Sequence, residues 1–305
     1  MTLSSIRHVL CAVDVTRPAL GALRSGLRIA QRFQATCDAV YARDPSPLRL
    51  ATLLPDLNEL VSHVEAEARL ISLLQAEGGA HAWGHSIDGR PSSTILAHSG
   101  LTRADLIVLG WNHRDARASV APPSVARRVA SQANCSVLTM CGEHSGAGIR
   151  SIVTPIDFSN GTAAALRWSA AFARRFDASV HLLNVSLRSP KHPGAMRADA
   201  AGALFEAVAR LSRAGIAASG EVLVAGSDAS QAILERCGTA FDLLIMGAHR
   251  SVPEEREAGG VLAQVRDQGR LPVLSVRPSG AQPVFATPSR FEGFSSEGDR
   301  YVGTA

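Results

Sequence analysis

One internal repeat constrains this chain more than any other feature. His8-Val-Leu-Cys-Ala-Val-Asp14 has a counterpart in Arg150-Ser-Ile-Val-Thr-Pro-Ile-Asp157, and the two aspartates stand 143 positions apart. The same separation aligns Ala22-Leu23-Arg24 with Ala165-Leu166-Arg167, and Arg32-Phe33-x-Ala35 with Arg175-Phe176-x-Ala178. Further on, Ala104-Asp-Leu-Ile-Val-Leu-Gly110 is matched by Phe241-Asp-Leu-Leu-Ile-Met-Gly247, and Cys135-Ser-Val-Leu-Thr-Met140 by Leu271-Pro-Val-Leu-Ser-Val276. Blocks that keep both residue type and order at nearly constant spacing mark a duplicated unit. Whatever this chain folds into, it does so twice.

The 305 residues suffice for two domains of ordinary size, each with its own core. The expected boundaries are 1–143 and 149–278, joined by a short Gly/Ser-containing stretch around Gly142 to Gly148. Residues 279–305 turn to Pro, Gly, Ser, Thr and scattered charge, and are expected to form a disordered tail. Hydrophobic residues make up 46% and charged residues 19%, the balance of a soluble globular protein. A net charge of +4 is small for this length, and the arginines are dispersed (Arg24, Arg28, Arg32), so they read as solvated helix faces. That argues against a nucleic-acid partner. Val9 to Val13 is too short for a signal-peptide core, and no apolar run approaches the roughly 20 residues that span a bilayer. The expectation is a cytoplasmic protein with no membrane partner.

The five cysteines include no CxxC pair. Cys11 and Cys37 lie within apolar runs and read as buried thiols, whereas Cys141 is the candidate for an exposed, oxidisable one. His81 and His85 share a face if they lie on a strand. No Cys, Asp or further His completes a ligand set, so no metal site is expected.

Each repeat opens with a continuous apolar run ending in Asp, the pattern of a parallel strand buried on both faces. A helix follows, with Pro18 in its first turn and Leu20, Leu23, Leu27 and Ala30 on one side; the second copy starts at Ser159-Asn160-Gly161-Thr162. Then come a second strand (37–41; 180–185), a helix (56–77; 198–214) and a third strand (81–87; 217–224). Gly89-Arg-Pro91 and Gly226-Ser-Asp228 each introduce a short helix. The fourth strand ends at Gly110 or Gly247, a further helix covers 125–132 or 261–268, and a fifth strand closes the unit. Alternation of this kind predicts an α/β protein made of two tandem five-stranded, doubly wound parallel sheets of Rossmann-like form.

These blocks resemble the universal stress proteins in their tandem form. The resemblance covers about 1–143 and 149–277. It rests on the strand-Asp openings, Pro155-Ile-Asp157-Phe-Ser159 above all, on Gly89-x-Pro91-x-x-x-Ile95, on the strand ending at Gly110, and on the closing Cys-Ser-Val-Leu run. The family implies a sheet like that of adenine-nucleotide alpha-hydrolases. Its ATP-binding members carry Gly-x-x-Gly, nine residues, then Gly-Ser/Thr after the fourth strand. In that loop the first glycine lets the backbone leave the strand, the second approaches phosphate, and the last pair starts a helix whose N–H groups hold anionic oxygens. The opening Asp lies at the ligand crevice beside it.

Both copies depart from that signature. In the first, the candidate residues are Asp14, Gly110, His113, Ser124 and Val125. His113 replaces the inner glycine, and Pro123 removes one N–H while Ser124 and the Val125 N–H remain. In the second, the candidates are Asp157, Gly247, Arg250, Gly259 and Gly260. Arg250 either takes the inner glycine's place or aligns with Arg114 across a deletion. Gly260 brings no hydroxyl, and Glu254, Glu255 and Glu257 line the intervening loop poorly for an anion.

The resulting expectation is a non-catalytic stress-response protein with degenerate nucleotide loops. It would act through contacts with a protein partner, as an intramolecular pseudo-dimer packed through the last strands or adjoining faces, with further homo-oligomers open. An ATP-binding sensor using the first site is the alternative, with ATP as the only cofactor in view. A nucleotide-processing enzyme is the second alternative. Against it, Asp14-Val-Thr-Arg-Pro18 is neither a Ser-Gly-Gly-x-Asp-Ser loop nor Gly-x-Gly-x-x-Gly, and no Gly-x-Ser-x-Gly elbow or other catalytic set is present.

Overall fold

Alternation of buried strands with one-sided helices produces the same α/β unit in each half of the chain. The computed structural model describes residues 6–14, 17–44, 63–76, 82–111, 124–141, 148–187, 195–226, 228–238, 240–248 and 260–277. They divide into two compact units, one within Ser5–Ala147 and the other from Gly148 onward. The sequence-expected joining stretch at 142–147, the tail and residues 56–62 lie outside the described residues.

In the first unit the order is β1 (His8–Val13), α1 (Arg17–Phe33), β2 (Thr36–Arg43), α2 (His63–Ala76), β3 (Ala82–Asp88), α3 (Pro91–Leu101), β4 (Leu106–Trp111), α4 (Val125–Gln132) and β5 (Ser136–Cys141). All of its strand pairs are parallel, in spatial order β3-β2-β1-β4-β5. Chain order therefore reverses direction between β1 and β4, which opens a crevice at their carboxyl ends. Alternate strand residues face opposite helix layers. Leu10, Ala12, Val40, Ile107, Leu109 and Val137 pack with Ile95 of α3 and Ala126, Val129 and Ala130 of α4. On the other face Gly26 of α1 lies against Cys11 and Val108, and Leu70 and Leu74 of α2 lie against Gly84 of β3. A fully buried side chain of this kind contributes about 1.5–3 kcal/mol. Arg24, Arg28 and Arg32 are exposed on α1, as the sequence predicts.

The second unit repeats the pattern with β6 (Ser151–Pro155), α5 (Asn160–Phe176), β7 (Ser179–Leu187), α6 (Ala195–Arg213), β8 (Ala218–Ala225), α7 (Ala229–Cys237), β9 (Leu243–Gly247), α8 (Val261–Gln268) and β10 (Val273–Val276). Its spatial order is β8-β7-β6-β9-β10, again parallel throughout. Met246, Val265, Ile233, Leu183 and Val273 lie in its central cluster.

Several repeated blocks acquire structural reasons. Arg-Phe-x-Ala ends a helix in both halves: Gln34 and Asp177 take left-handed φ values of 58° and 57°. The following Ala35 and Ala178 N–H groups then donate back to the carbonyls of Ala30 and Ala173 at 2.8 and 3.0 Å. The Asp before the fourth strand is a clamp. Asp105 Oδ2 accepts from the Arg7 and His8 N–H groups at 2.7 and 3.0 Å, and Asp242 Oδ2 accepts from those of Arg150 and Ser151 at 2.8 and 2.9 Å. Each thus fixes the start of its unit's first strand to a residue nearly a hundred positions away. Gly89 has φ 147°, a backbone state that favours glycine, and so turns β3 into α3.

Two expectations are corrected here. Cys141 is not exposed: it closes β5 at 2% exposure, and burial pushes its thiol up to about 12. The half-buried thiol is Cys135. The fourth strand runs one residue beyond Gly110, because Trp111 inserts its indole into the core at 2% exposure and holds the backbone extended.

Candidate nucleotide crevices

The switch between β1 and β4 sets the first candidate site. Ala12 pairs with Leu109, so Asp14 and Gly110 lie just beyond that pair on neighbouring strand ends. Asp14 is exposed and Gly110 half-buried. His113 lies outside the described residues. Ser124 is the N-cap of α4, and its Oγ accepts from the Arg127 N–H at 3.3 Å. Val125, the first helical residue, turns its side chain onto the core. Its N–H and that of Ala126 belong to the first turn, which has no intrahelical acceptors. The sequence-named residues thus supply an exposed carboxylate and a helix N-terminus whose hydroxyl already serves the helix.

The second crevice forms between β6 and β9, where Val153 pairs with Leu244. Here the carboxylate is engaged locally. Asp157 Oδ1 accepts from the Ser159 N–H at 3.0 Å and from the Thr162 hydroxyl at 2.6 Å. The Thr162 Oγ1 in turn accepts from the Asp157 N–H at 3.0 Å. This box sets the chain's entry into α5, with Phe158 between its members at a left-handed φ of 60°. Behind it, the buried Asn184 donates from Nδ2 to the Ile156 carbonyl at 2.9 Å and braces the residue before Asp157. Asn184 Oδ1 and Ser159 Oγ are buried with no hydrogen-bond partner. Sequence reasoning passed over Ser159, Thr162 and Asn184 as site residues; the Asp-x-Ser-x-x-Thr spacing was the available signal.

Gly247 is glycine for a different reason from the one the loop signature suggests. Its backbone is not left-handed, but a Cβ there would overlap the carbonyl group and Cα of Gly161 in the first turn of α5. Close approach of helix to strand end requires it. Gly260 is the N-cap of α8, with no side-chain cap bond. Arg250 and Gly259 lie outside the described residues.

The fold defines a tandem of doubly wound α/β domains, each with an aspartate just past its first strand and a helix that follows its fourth. Comparison with known proteins agrees. The model of the universal stress protein family matches residues 5–140 and again 148–277. A universal stress protein from Methanocaldococcus jannaschii is 28% identical over 139 residues, which is 44% of this chain and 81% of that protein. Among solved structures, a universal stress protein from Archaeoglobus fulgidus is similar with a TM-score of 0.70 at 16% identity, covering 90% of this chain and 97% of that one. A putative universal stress protein from Pseudomonas aeruginosa gives 0.61 at 15% identity, over 90% and 94%. The chain belongs to the universal stress protein family, with two such domains in tandem. No described helix is long and apolar enough to cross a membrane.

Proposed function

We propose that this is a non-catalytic stress-response protein whose nucleotide loops have degenerated and which acts through protein contacts. The observation that carries the reading is the engagement of the phosphate-side and carboxylate groups in the fold itself. Ser124 caps its own helix, Asp157 closes a local box, Gly247 seats a helix, and Gly260 has no hydroxyl to offer. Replacement of the inner glycine by His113 in the first loop points the same way. Exposed aromatic side chains support a protein-contact role: Trp83 on β3, which ends its unit's sheet, is 54% exposed, and Phe205 on α6 is 76% exposed.

Calorimetric titration of the full chain with ATP and Mg²⁺ tests the proposal. The expected result is no saturable heat in the micromolar range. Low-micromolar binding that Asp14→Ala abolishes would overturn it. The sensor reading has one observation in its favour: Asp14 is exposed just past the end of β1, and the first-turn N–H groups of α4 have no acceptor within the helix. Recovery of nucleotide from heat-denatured protein is the result that would favour it.

A further inference from the structure

At the opposite end of the first sheet, three imidazoles converge on one buried carboxylate. Asp38 on β2 is 5% exposed. His8 Nε2, at the start of β1, lies 3.0 Å from its Oδ2; His98 Nε2, in the last turn of α3, lies 3.4 Å from the same oxygen; His85 Nε2, on β3, lies 3.5 Å from Oδ1. Register explains the convergence. Asp38 and Val40 share a face of β2, Val40 pairs with His85, and α3 covers that face. The sequence reading found nothing to complete a ligand set around His85. The fold brings Asp38 and His98 to it from two other elements, while His81 lies outside the described residues.

These contacts do not amount to a settled hydrogen-bond network. His8 Nε2 and His98 Nε2 are both buried at ion-pair distance from the carboxylate, without the alignment of a directed hydrogen bond. His8 is held from its other side, Nδ1 lying 2.9 Å from the Thr36 hydroxyl. A bound cation would offset the desolvation of this buried carboxylate.

The second repeat supplies an internal contrast. Its position equivalent to Asp38 is His181, and Glu221 pairs with Leu183 as His85 pairs with Val40. Arg236 follows Ile233 as His98 follows Ile95. There the carboxylate is saturated: Glu221 takes His181 Nε2 at 3.1 Å and the Arg236 guanidinium. Phe241, standing where the first repeat has Ala104, stacks on His181 with centroids 5.5 Å apart and lies under Arg236 at 5.7 Å. One repeat closes this place with a permanent cation and a ring. The other leaves a carboxylate facing imidazole nitrogens.

We propose that Asp38, His85 and His98 bind a divalent transition-metal ion of the zinc and iron(II) class, with His8 positioning the Asp38 carboxylate. Their ligand atoms all lie within 4.8 Å of one another. Donors around a tetrahedral zinc stand roughly 3.3–3.5 Å apart, so small side-chain rotations complete the geometry. Two imidazoles and one carboxylate match that class of ion, and no thiolate is required. The carbonyl end of α3 adds a favourable dipole. His85, with its side chain 38% exposed, gives the ion a route in from solvent. The site is independent of the nucleotide reading, since it lies at the other ends of the strands.

The test titrates chelator-stripped full-length protein with Zn²⁺ against a chromophoric indicator, and with Co²⁺ for its visible absorption. The expected result is one equivalent bound per chain and a Co²⁺ spectrum of low coordination number. His85→Gln, at a half-exposed position that tolerates the change, and His98→Ala should each weaken binding at least about tenfold, and His8→Ala about 10–100-fold as an outer-shell change. His181→Ala should leave it unchanged, with circular dichroism verifying each fold. No saturable uptake, as for a carboxylate simply neutralised by a protonated His8, would overturn the proposal. So would stoichiometric uptake indifferent to His85→Gln.

Discussion

Replacing Asp242 with alanine removes the acceptor that ties β6 to the residues ahead of β9. Its Oδ2 takes three donors: the Arg150 and Ser151 N–H groups at 2.8 and 2.9 Å, and the Ser151 hydroxyl at 2.9 Å. A hydrogen bond to a charged group is worth about 1.5–3 kcal/mol when buried. Arg150 is exposed and its N–H turns to water, while the Ser151 hydroxyl has the Ala240 carbonyl at 3.5 Å as a substitute. Discounting both leaves the Ser151 N–H bond, roughly 1.5–3 kcal/mol for the variant. A folded half of this size loses about 3–5 °C per kcal/mol, so one calorimetric transition should fall by about 5–15 °C. Asp105→Ala, with the exposed Arg7 N–H discounted likewise, loses the His8 N–H bond and should cost a similar amount, about 1.5–3 kcal/mol. Asp242→Asn keeps an oxygen without the charge and should recover about half of the loss. Differential scanning calorimetry with urea titration measures all three. A loss below about 0.5 kcal/mol for Asp242→Ala, or an Asn variant as unstable as the Ala one, refutes the clamp.

Two further outcomes follow from packing and titration. Gly247→Ala forces a Cβ into the Gly161 backbone and should destabilise by about 1–3 kcal/mol, equally with and without ATP in a thermal melt; an unchanged melting temperature would return Gly247 to a purely loop-forming role. Burial holds the Cys141 and Cys237 thiols at about 12, and Cys11 is raised by its 3.7 Å contact with Cys37 as well as by burial. Because the thiolate is the reactive form, a chromogenic disulfide reagent at about pH 8 should find one fast thiol in the native chain, Cys135, and five in urea. Fast labelling that survives Cys135→Ser would show the burial argument to be wrong.

What could be read in advance followed local rules. Apolar runs closed by Asp14 and Asp157 read as first strands because a strand buried on both faces needs no polar alternation. The helices at 125–132 and 261–268 have the bounds that their sequence pattern gives. The repeat itself doubled every inference, since each element had a second witness. Asp14, Gly110, Asp157 and Gly247 could be placed at strand ends because a strand followed by a helix turns at its carboxyl end, whatever lies around it.

Proximity between distant residues was another matter. Asp105 and Asp242 stood out in the sequence only as members of a repeated block, and only the folded sheet set them against the N–H groups that begin each unit. Gly247 looked like a loop glycine until α5 was packed on it. Asp38, His85 and His98 come from three elements and share no spacing rule that a linear scan could detect. A strand or helix period is written in the neighbours of a residue, so sequence alone determined the two-fold α/β plan. Which strand lies beside which, and what a helix covers, depends on chain segments tens of residues apart. Tertiary structure alone therefore decided that one repeat would seal its carboxylate with arginine and the other would surround it with histidines.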